Sequence, residues 1–222
     1  MNVISLNFKS NSENKIITIN EKDYHRLDQF DAPDAINQSG NFYTLGSCNA
    51  FFWSSDSPWG FKVLTKGEYG KRRIYRTMYN PKRLKTYRLH SVPSQIIWHA
   101  HRLLNEHQLG PEVGDFISFN NDAFFGFQIK KVTGVKASAL IRDELITESH
   151  LSPKRETAAK LLDNLGLLNV DEEKKAGFKE LFPHNFLVDL ENGLINYVDL
   201  DVRNIKGISD VNELLSQIKK ND

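Results

Sequence analysis

The stretch NFYTLGSCNAFFWSSDSPWGFKVLTK, residues 41–66, has the clearest strand pattern in the chain. Aromatic and β-branched residues are frequent in it and alternate with polar ones, and breakers stand at Gly46 and at 56–59. Alternation bounded by turn-forming residues is typical of β-strands. The stretch therefore predicts three strands in succession, at about 42–45, 49–54 and 60–65.

On the N-terminal side of this stretch, 2–8 and 15–19 are short strand-like runs, and 21–40 is polar with one expected helical turn. On the C-terminal side, 91–111 changes to helical spacing. The apolar residues on one face of that helix are Ile96, Ile97, Ala100, Leu103 and Leu104. The sequence thus predicts a strand-rich first half followed by a long helix.

Beyond this helix, 112–132 predicts two strands joined by a turn at 120–122. A second helix is expected to start near Ser152, with Pro153 at its first position, and to end before Gly166. Two further strands are expected around a tight Asn192-Gly193 turn, and a last helix over 209–218. The order of elements predicts the α+β class.

Composition limits the functional classes. The chain has 222 residues, 29 Lys and Arg against 28 Asp and Glu, and one cysteine. A net charge of +1 gives no long-range field that would attract nucleic acid, and no apolar run is long enough for a membrane span. A single cysteine cannot form an internal disulfide, which suits a reducing compartment. These features predict a cytoplasmic protein.

The clearest chemical signal is KELFPHNFLVDLENGLINYVDLDVRNI, residues 179–205. Asn185 and Asp199 stand at the ends of two short apolar runs, fourteen residues apart, where a hairpin would bring an amide and a carboxylate together. "PHNFLVD" and "INYVDLD" resemble the catalytic-loop and metal-binding segments of the protein-kinase-like superfamily. The resemblance implies ATP and magnesium as cofactors, with Asn185 and Asp199 as the magnesium ligands. Without it, Asn185 could cap a turn and Asp199 could end a strand.

Two other segments resemble parts of a kinase site. "GFKVL" resembles the strand that carries the phosphate-binding lysine, here Lys62, and Gly60 would leave room for an adenine ring. An edge-strand lysine that reaches for water is the alternative. "LGSCNAFFW" keeps Gly46 of the phosphate loop but has Cys48 and Phe51 at the positions of the next two glycines.

The helix and the hinge complete the resemblance. Aligned with the kinase helix, Ile97 stands where a glutamate would pair with the lysine, so the ionic clamp is missing. "FFGFQIKKVTG" resembles the strand that leads into the hinge: Ile129 would form a wall of the adenine pocket, and Lys131 lies in the backbone segment that would bind the base. Glu180 stands at the position of the catalytic aspartate, preceded by Phe178 and Lys179 instead of His-Arg.

The resemblance implies a two-lobed protein-kinase-like fold with a strand-rich lobe over 1–134, including an extension over 1–40, and a reduced helical lobe over 135–222. Only 21 residues follow Asp201, which implies a truncated C-terminal lobe and is similar to the small effector kinases of bacterial pathogens. That narrower similarity implies delivery into a host cell as an alternative to a cytoplasmic location.

Residues 71–88 are rich in Lys and Arg, contain no acidic residue and include three tyrosines. Such a run is most often a solvated face, but it could bind an acidic surface on a partner. The leading hypothesis is a minimal kinase-like phosphotransferase that binds ATP and magnesium between two lobes and acts on a protein. The alternatives are a pseudokinase, favoured by Ile97 and by the lost glycines, and a glycosyltransferase that uses 199–201 as an Asp-x-Asp motif.

Overall fold

The computed structural model describes residues 3–11, 16–27, 39–45, 49–64, 91–119, 124–168, 170–175, 177, 181 and 183–200. The chain is a mixed α+β protein, as the sequence predicts. The strands are β1 (Val3–Leu6), β2 (Phe8–Asn11), β3 (Ile16–Ile19), β4 (Lys22–Arg26), β5 (Asn41–Leu45), β6 (Asn49–Ser54), β7 (Trp59–Leu64), β8 (Val113–Phe119), β9 (Phe124–Lys130), β10 (Val135–Lys136), β11 (Phe186–Val188) and β12 (Ile195–Tyr197). The helices are α1 (Ser91–Glu106), α2 (Ala137–Arg142), α3 (Glu148–Asn164) and α4 (Val170–Lys175), and a 3-10 turn covers Pro183–Asn185.

These residues divide into two compact units. The first contains the described residues up to Trp98 together with Val113–Lys131, and the second contains His99–Glu112 and Val132–Leu200. The division therefore falls inside α1. The boundary between 1–134 and 135–222 that the resemblance implies stays a prediction.

The first unit contains a nine-stranded sheet with the order β1-β8-β9-β7-β6-β5-β4-β3-β2. Neighbouring strands are antiparallel except for the β1–β8 and β4–β5 pairs, which are parallel. Buried side chains of β3 and β4, near one end of this order, share one apolar cluster with Ile117 and Phe119 of β8, near the other end. The sheet therefore curls around this cluster, which also holds Tyr43 and Phe52.

The strands predicted for 41–66 are confirmed as β5, β6 and β7. The expected helical turn within 21–40 is wrong where the structure describes that range, because Lys22–Arg26 forms β4. Tyr24 is the buried residue of this polar strand, and burial, followed by the charge of Asp56, raises its pKa to about 12. Pairing with β3 and β5 makes the strand, and a polar run carries no local signal of that pairing.

The helix predicted over 91–111 is confirmed as α1, and the two strands after it as β8 and β9. At the end of α1 that belongs to the first unit, the Trp98 indole Nε1 donates a hydrogen bond to the Gly114 carbonyl oxygen, 2.8 Å away. A register shift between Val113 and Phe116 marks a bulge in β8 at this point. The bulge and the indole fix the start of β8 against the helix.

The second unit contains a three-stranded sheet in the order β10-β11-β12. The 3-10 turn lies beside α2, and α3 contacts both β12 and α4. The predicted start of α3 near Ser152 is wrong, because the helix begins at Glu148 and has Pro153 inside it. The Thr147 backbone N–H donates to His150 Nδ1 at 3.1 Å. A histidine thus fills a capping position for which the usual sequence rule looks for Glu or Gln.

The hairpin expected around Asn192-Gly193 is confirmed, with β11 and β12 as its strands. Its connection covers residues 189–194, however, and is longer than a two-residue turn. The Asp189 N–H donates to the Leu194 carbonyl oxygen and the Gly193 N–H to the Asp189 carbonyl oxygen, both at 2.8 Å. Gly193 has a φ of +67°, a conformation that glycine adopts without steric cost.

Candidate functional site

Lys62 lies on β7, which is flanked by β6 and β9. It is opposite Phe51 on β6 and Phe127 on β9, and it is 4% exposed. Residues directly opposite in antiparallel strands project from the same face of a sheet. Lys62 therefore lies within an aromatic face, and the alternative of an edge-strand lysine that reaches for water is wrong.

Gly60, two residues before Lys62, does not leave open space. A Cβ atom at this position would lie 2.5 Å from the Phe52 carbonyl oxygen and 2.8 Å from both Cε2 and Cζ of Phe51. The Phe51 ring thus fills the space that the sequence predicted for an adenine ring. The reason is that Phe51, which the resemblance aligns with the third glycine of a phosphate loop, has a large side chain that lies over the neighbouring strand.

Trp53 extends the same aromatic face, and sequence reasoning missed it. It is opposite Gly60, it is 1% exposed, and its ring stacks on that of Phe51 with 5.4 Å between centroids and 21° between planes. The Phe42 ring also packs against Trp53, with 6.1 Å between centroids. The Trp53 Nε1 donor has no hydrogen-bond partner among the described residues. The signal in the sequence was the pair of aromatic residues at alternate positions of the strand next to Gly60.

Ile129, the predicted wall of the adenine pocket, lies on β9 opposite Gly60 and is 5% exposed. It shares the face of the sheet that carries Lys62.

Lys131, the predicted hinge residue, forms hydrogen bonds within the protein. Its backbone N–H donates to the Pro58 carbonyl oxygen and its Nζ to the Ser54 carbonyl oxygen, each at 2.8 Å. The backbone N–H of Lys131, which the sequence predicted to bind a base, therefore already donates to another part of the protein.

Ile97, at the position where the resemblance expects a glutamate, is fully buried in α1. A carboxylate there would lose its hydration unless a cation or hydrogen bonds compensated it. The apolar side chain needs no such partner. The helix thus contributes packing at this position in place of an ionic clamp.

Asn185 and Val198, the residue before Asp199, are joined at one end of the β11–β12 hairpin. Phe186 is opposite Tyr197, and one step further the Val198 N–H donates to the Asn185 carbonyl oxygen at 3.0 Å. Asn185 is 7% exposed, and Asp199 is half-buried. Asn185 thus directly precedes β11 and Asp199 lies two residues after the end of β12, at the same end of the hairpin.

The last part of α1 and the segment that follows it contact this end of the hairpin. His101 is fully buried and its Nε2 lies 3.3 Å from the Leu200 carbonyl oxygen, next to Asp199. Since a carbonyl oxygen accepts, this contact requires a proton on Nε2. The Tyr197 N–H donates to the Leu109 carbonyl oxygen at 2.7 Å. Sequence reasoning missed the role of His101, although its place four residues after Ile97 puts it beside the apolar stripe of the helix.

Carboxylate and amide oxygens are the donors that magnesium prefers, and the protein commonly supplies only one or two of them. Asn185 and Asp199 fit that requirement by their chemistry. Among the described residues, no group of three or more His, Cys, Asp or Glu side chains is arranged to hold a metal ion. A magnesium site at this hairpin would therefore use the Asp199 carboxylate, with the Asn185 amide as a second candidate ligand.

Several predicted features lie outside the described residues: Gly46, Cys48, Glu180, Asp201, the basic stretch 71–88 and the last helix. Of the predicted site residues, Lys62, Ile129 and Lys131 belong to the first unit, and Asn185 and Asp199 to the second.

No described helix has the length and apolar character needed to cross a bilayer. Comparison of the chain with protein-family models, curated proteins and solved structures found no match.

Proposed function

We propose that the chain is a minimal kinase-like phosphotransferase that binds ATP and magnesium and acts on a protein. The observation that carries the proposal is the end of the hairpin, where the Val198 N–H donates to the Asn185 carbonyl oxygen, one residue before Asp199. In phosphoryl transfer, an amide and a carboxylate of this kind hold the metal on the phosphates. When bound, magnesium neutralises the negative charge of the phosphate oxygens.

The sheet supports the same proposal. β5, β6 and β7 follow one another as antiparallel neighbours, Lys62 is on the third of them, and the long helix α1 follows in the chain before β8 and β9. Kinases carry the phosphate-binding lysine on the third strand and a helix after it. We assign to Lys62 the contact with phosphate oxygens, and to Glu180 the acceptance of the proton from the substrate hydroxyl.

A pseudokinase is the second candidate, and two observations favour it. Ile97 is a buried apolar residue at the position of the clamp glutamate, and the Phe51 ring covers Gly60. In this version the chain binds a nucleotide or a partner protein without transferring phosphate. For either candidate, an acidic surface on the partner is the expected ligand of the basic stretch 71–88. A location in the cytoplasm, or in a host cell after delivery, belongs to the same proposal.

Nucleotide binding is tested by thermal unfolding with and without ATP and magnesium. Asp199→Asn is compared with Asp189→Asn, which changes the same residue type at the other end of the same hairpin. At a nucleotide concentration of about 100 Kd, binding adds about 2.7 kcal/mol to the folded state, or roughly 5–10 °C in Tm for a chain of this size. We expect this shift in the wild type and in Asp189→Asn, and its loss in Asp199→Asn.

A shift that survives in Asp199→Asn, or that appears only with a UDP-sugar, would contradict the proposal, and the second result would favour the glycosyltransferase.

Phosphoryl transfer is tested with γ-labelled ATP and a cell lysate. Lys62→Met and Glu180→Gln should each abolish labelling, whereas Lys22→Met, at an exposed ion pair with Asp56, should not. Nucleotide binding without any labelling would select the pseudokinase.

A further inference from the structure

Phe51 occupies a position that matters to the proposed site. Its ring atoms Cε2 and Cζ lie over Gly60, on the face of the sheet that also carries Lys62 and Ile129. A planar ligand against Gly60 would overlap this ring. The site assigned to the nucleotide is therefore closed at the base end by a side chain of the protein itself.

The Phe51 ring can leave Gly60 without a change in the backbone. The Phe52 carbonyl oxygen near Gly60 is backbone and cannot leave without breaking the β6–β7 pairing, but the Phe51 atoms are the far end of a side chain. Phe51 is half-buried, so rotation about its side-chain torsions can carry the ring outward. One torsional change would thus remove the ring from Gly60 and from one face of Trp53.

Trp53 indicates what the opened space would bind. The Phe51 ring stacks on its indole, with 5.4 Å between centroids and 21° between planes. A flat heteroaromatic ring could take the place of Phe51 in this stack. A nucleobase is such a ring.

We infer that Phe51 is a built-in occluding group: the base of a nucleotide binds over Gly60 only after the Phe51 ring rotates away. The inference rests on the proposed function and adds a form of regulation to the same site. Its consequence is quantitative, because the apparent affinity falls by the fraction of molecules in the open form. If fewer than one molecule in ten is open, removal of the ring should tighten nucleotide binding by about tenfold or more.

The test is calorimetric titration of the full chain with ATP and magnesium. The variants are Phe51→Ala and the matched control Phe42→Ala. Phe42 is also half-buried and packs on Trp53, but its ring is not among the nearest neighbours of Gly60. We expect Phe51→Ala to bind ATP about tenfold more tightly and Phe42→Ala to gain nothing. Inorganic tripolyphosphate, which has no base, should bind wild type and Phe51→Ala equally.

A second readout follows the indole directly. The NMR signal of the Trp53 side-chain N–H, assigned with Trp53→Phe, should shift when ATP binds to Phe51→Ala and should not shift with tripolyphosphate. If Phe51→Ala does not fold by circular dichroism, Phe51→Val takes its place, because valine favours strands and is too short to reach over Gly60.

Failure of the inference differs from failure of the proposed function. If wild type binds ATP in an Asp199-dependent way and neither Phe51 variant binds it more tightly, the occlusion is overturned and the proposed function stands. An equal gain in Phe42→Ala overturns the occlusion as well, since the effect would then come from loosening of the aromatic stack. If no variant binds ATP or tripolyphosphate, the proposed function fails and the inference fails with it.

Discussion

The sheet of the first unit and the β11–β12 hairpin of the second each carry residues that the sequence predicted as functional, and they are built differently. Lys62 lies at the centre of a nine-stranded sheet, among aromatic side chains, and is 4% exposed. The hairpin has short strands, and its connection carries the exposed side chains Leu190 and Leu194. Lys62 is thus surrounded by a hydrophobic core, while the half-buried Asp199 follows a short hairpin whose connection is exposed.

Because of this difference, substitutions in the two regions should have different effects on stability. Substitutions in the sheet remove packing that the fold needs, so their first effect is on the free energy of unfolding. Substitutions in the exposed connection of the hairpin remove few contacts and should change the free energy of unfolding little. Three measurements on the free protein test this difference.

The largest effect is expected in the aromatic cluster of the sheet. Phe52 is fully buried, stacks on Tyr43 with centroids 5.3 Å apart and meets Tyr24 edge-on at 5.6 Å. Phe52→Ala should lower the free energy of unfolding by about 3–5 kcal/mol, because it leaves a cavity in close-packed surroundings. Leu190→Ala, in the exposed connection of the hairpin, should change it by less than about 0.5 kcal/mol. Urea unfolding measures both, and equal losses would contradict the comparison.

An intermediate effect is expected at glycines that the two units need for different reasons. A Cβ on Gly126 of β9 would collide with the Lys62 carbonyl oxygen and lie 3.0 Å from the Val63 Cα. Gly126→Ala should therefore cost about 1–3 kcal/mol or more through overpacking. Gly166, after α3, has a φ of +66° and open space around its Cβ position, so Gly166→Ala should cost about 1 kcal/mol through backbone strain alone.

Urea unfolding also measures the free energies of unfolding of the two glycine variants. Gly126→Ala should be more destabilising than Gly166→Ala. The reverse order would mean that β7 and β9 can separate without cost, and the sheet would then not be the rigid part of the molecule.

The smallest effect is expected at the turn of the hairpin and depends on pH. The side chain of Asn192 donates to the Asp189 carboxylate, and together with backbone N–H groups of 191 and 192 it holds the pKa of Asp189 below the usual value. A carboxyl with a lowered folded pKa stabilises the protein above its unfolded pKa of about 3.9, and this contribution is lost as the pH falls through the folded pKa. Wild type should therefore have a higher Tm than Asp189→Ala at pH 7, and the gap should narrow below about pH 4.

Thermal unfolding between pH 7 and pH 3 gives this gap directly. Asp143→Ala is the matched control, since the pKa of Asp143 is lowered mainly by a side-chain hydrogen bond from Arg142, away from the hairpin. A gap for Asp189→Ala that stays constant over the whole range would show that the carboxylate charge has no part in holding the turn.

Local pattern was sufficient for part of the fold. β5, β6, β7, α1, β8 and β9 were predicted because alternation and helical spacing are properties of a few consecutive residues. β4 was not, since its polar residues form a strand only through pairing with β3 and β5. The start of α3 was not predicted either, because a histidine at the capping position replaces the expected Glu or Gln.

The sequence alone determined the class of the fold, the hairpin and the residue types at its ends, because each depends on neighbours in the chain. Tertiary structure decided what surrounds those residues. The Phe51 ring over Gly60, the engaged donors of Lys131 and the contact of His101 with the Leu200 carbonyl oxygen all join side chains to distant backbone. Such contacts depend on register, twist and packing, which no local pattern in the chain contains.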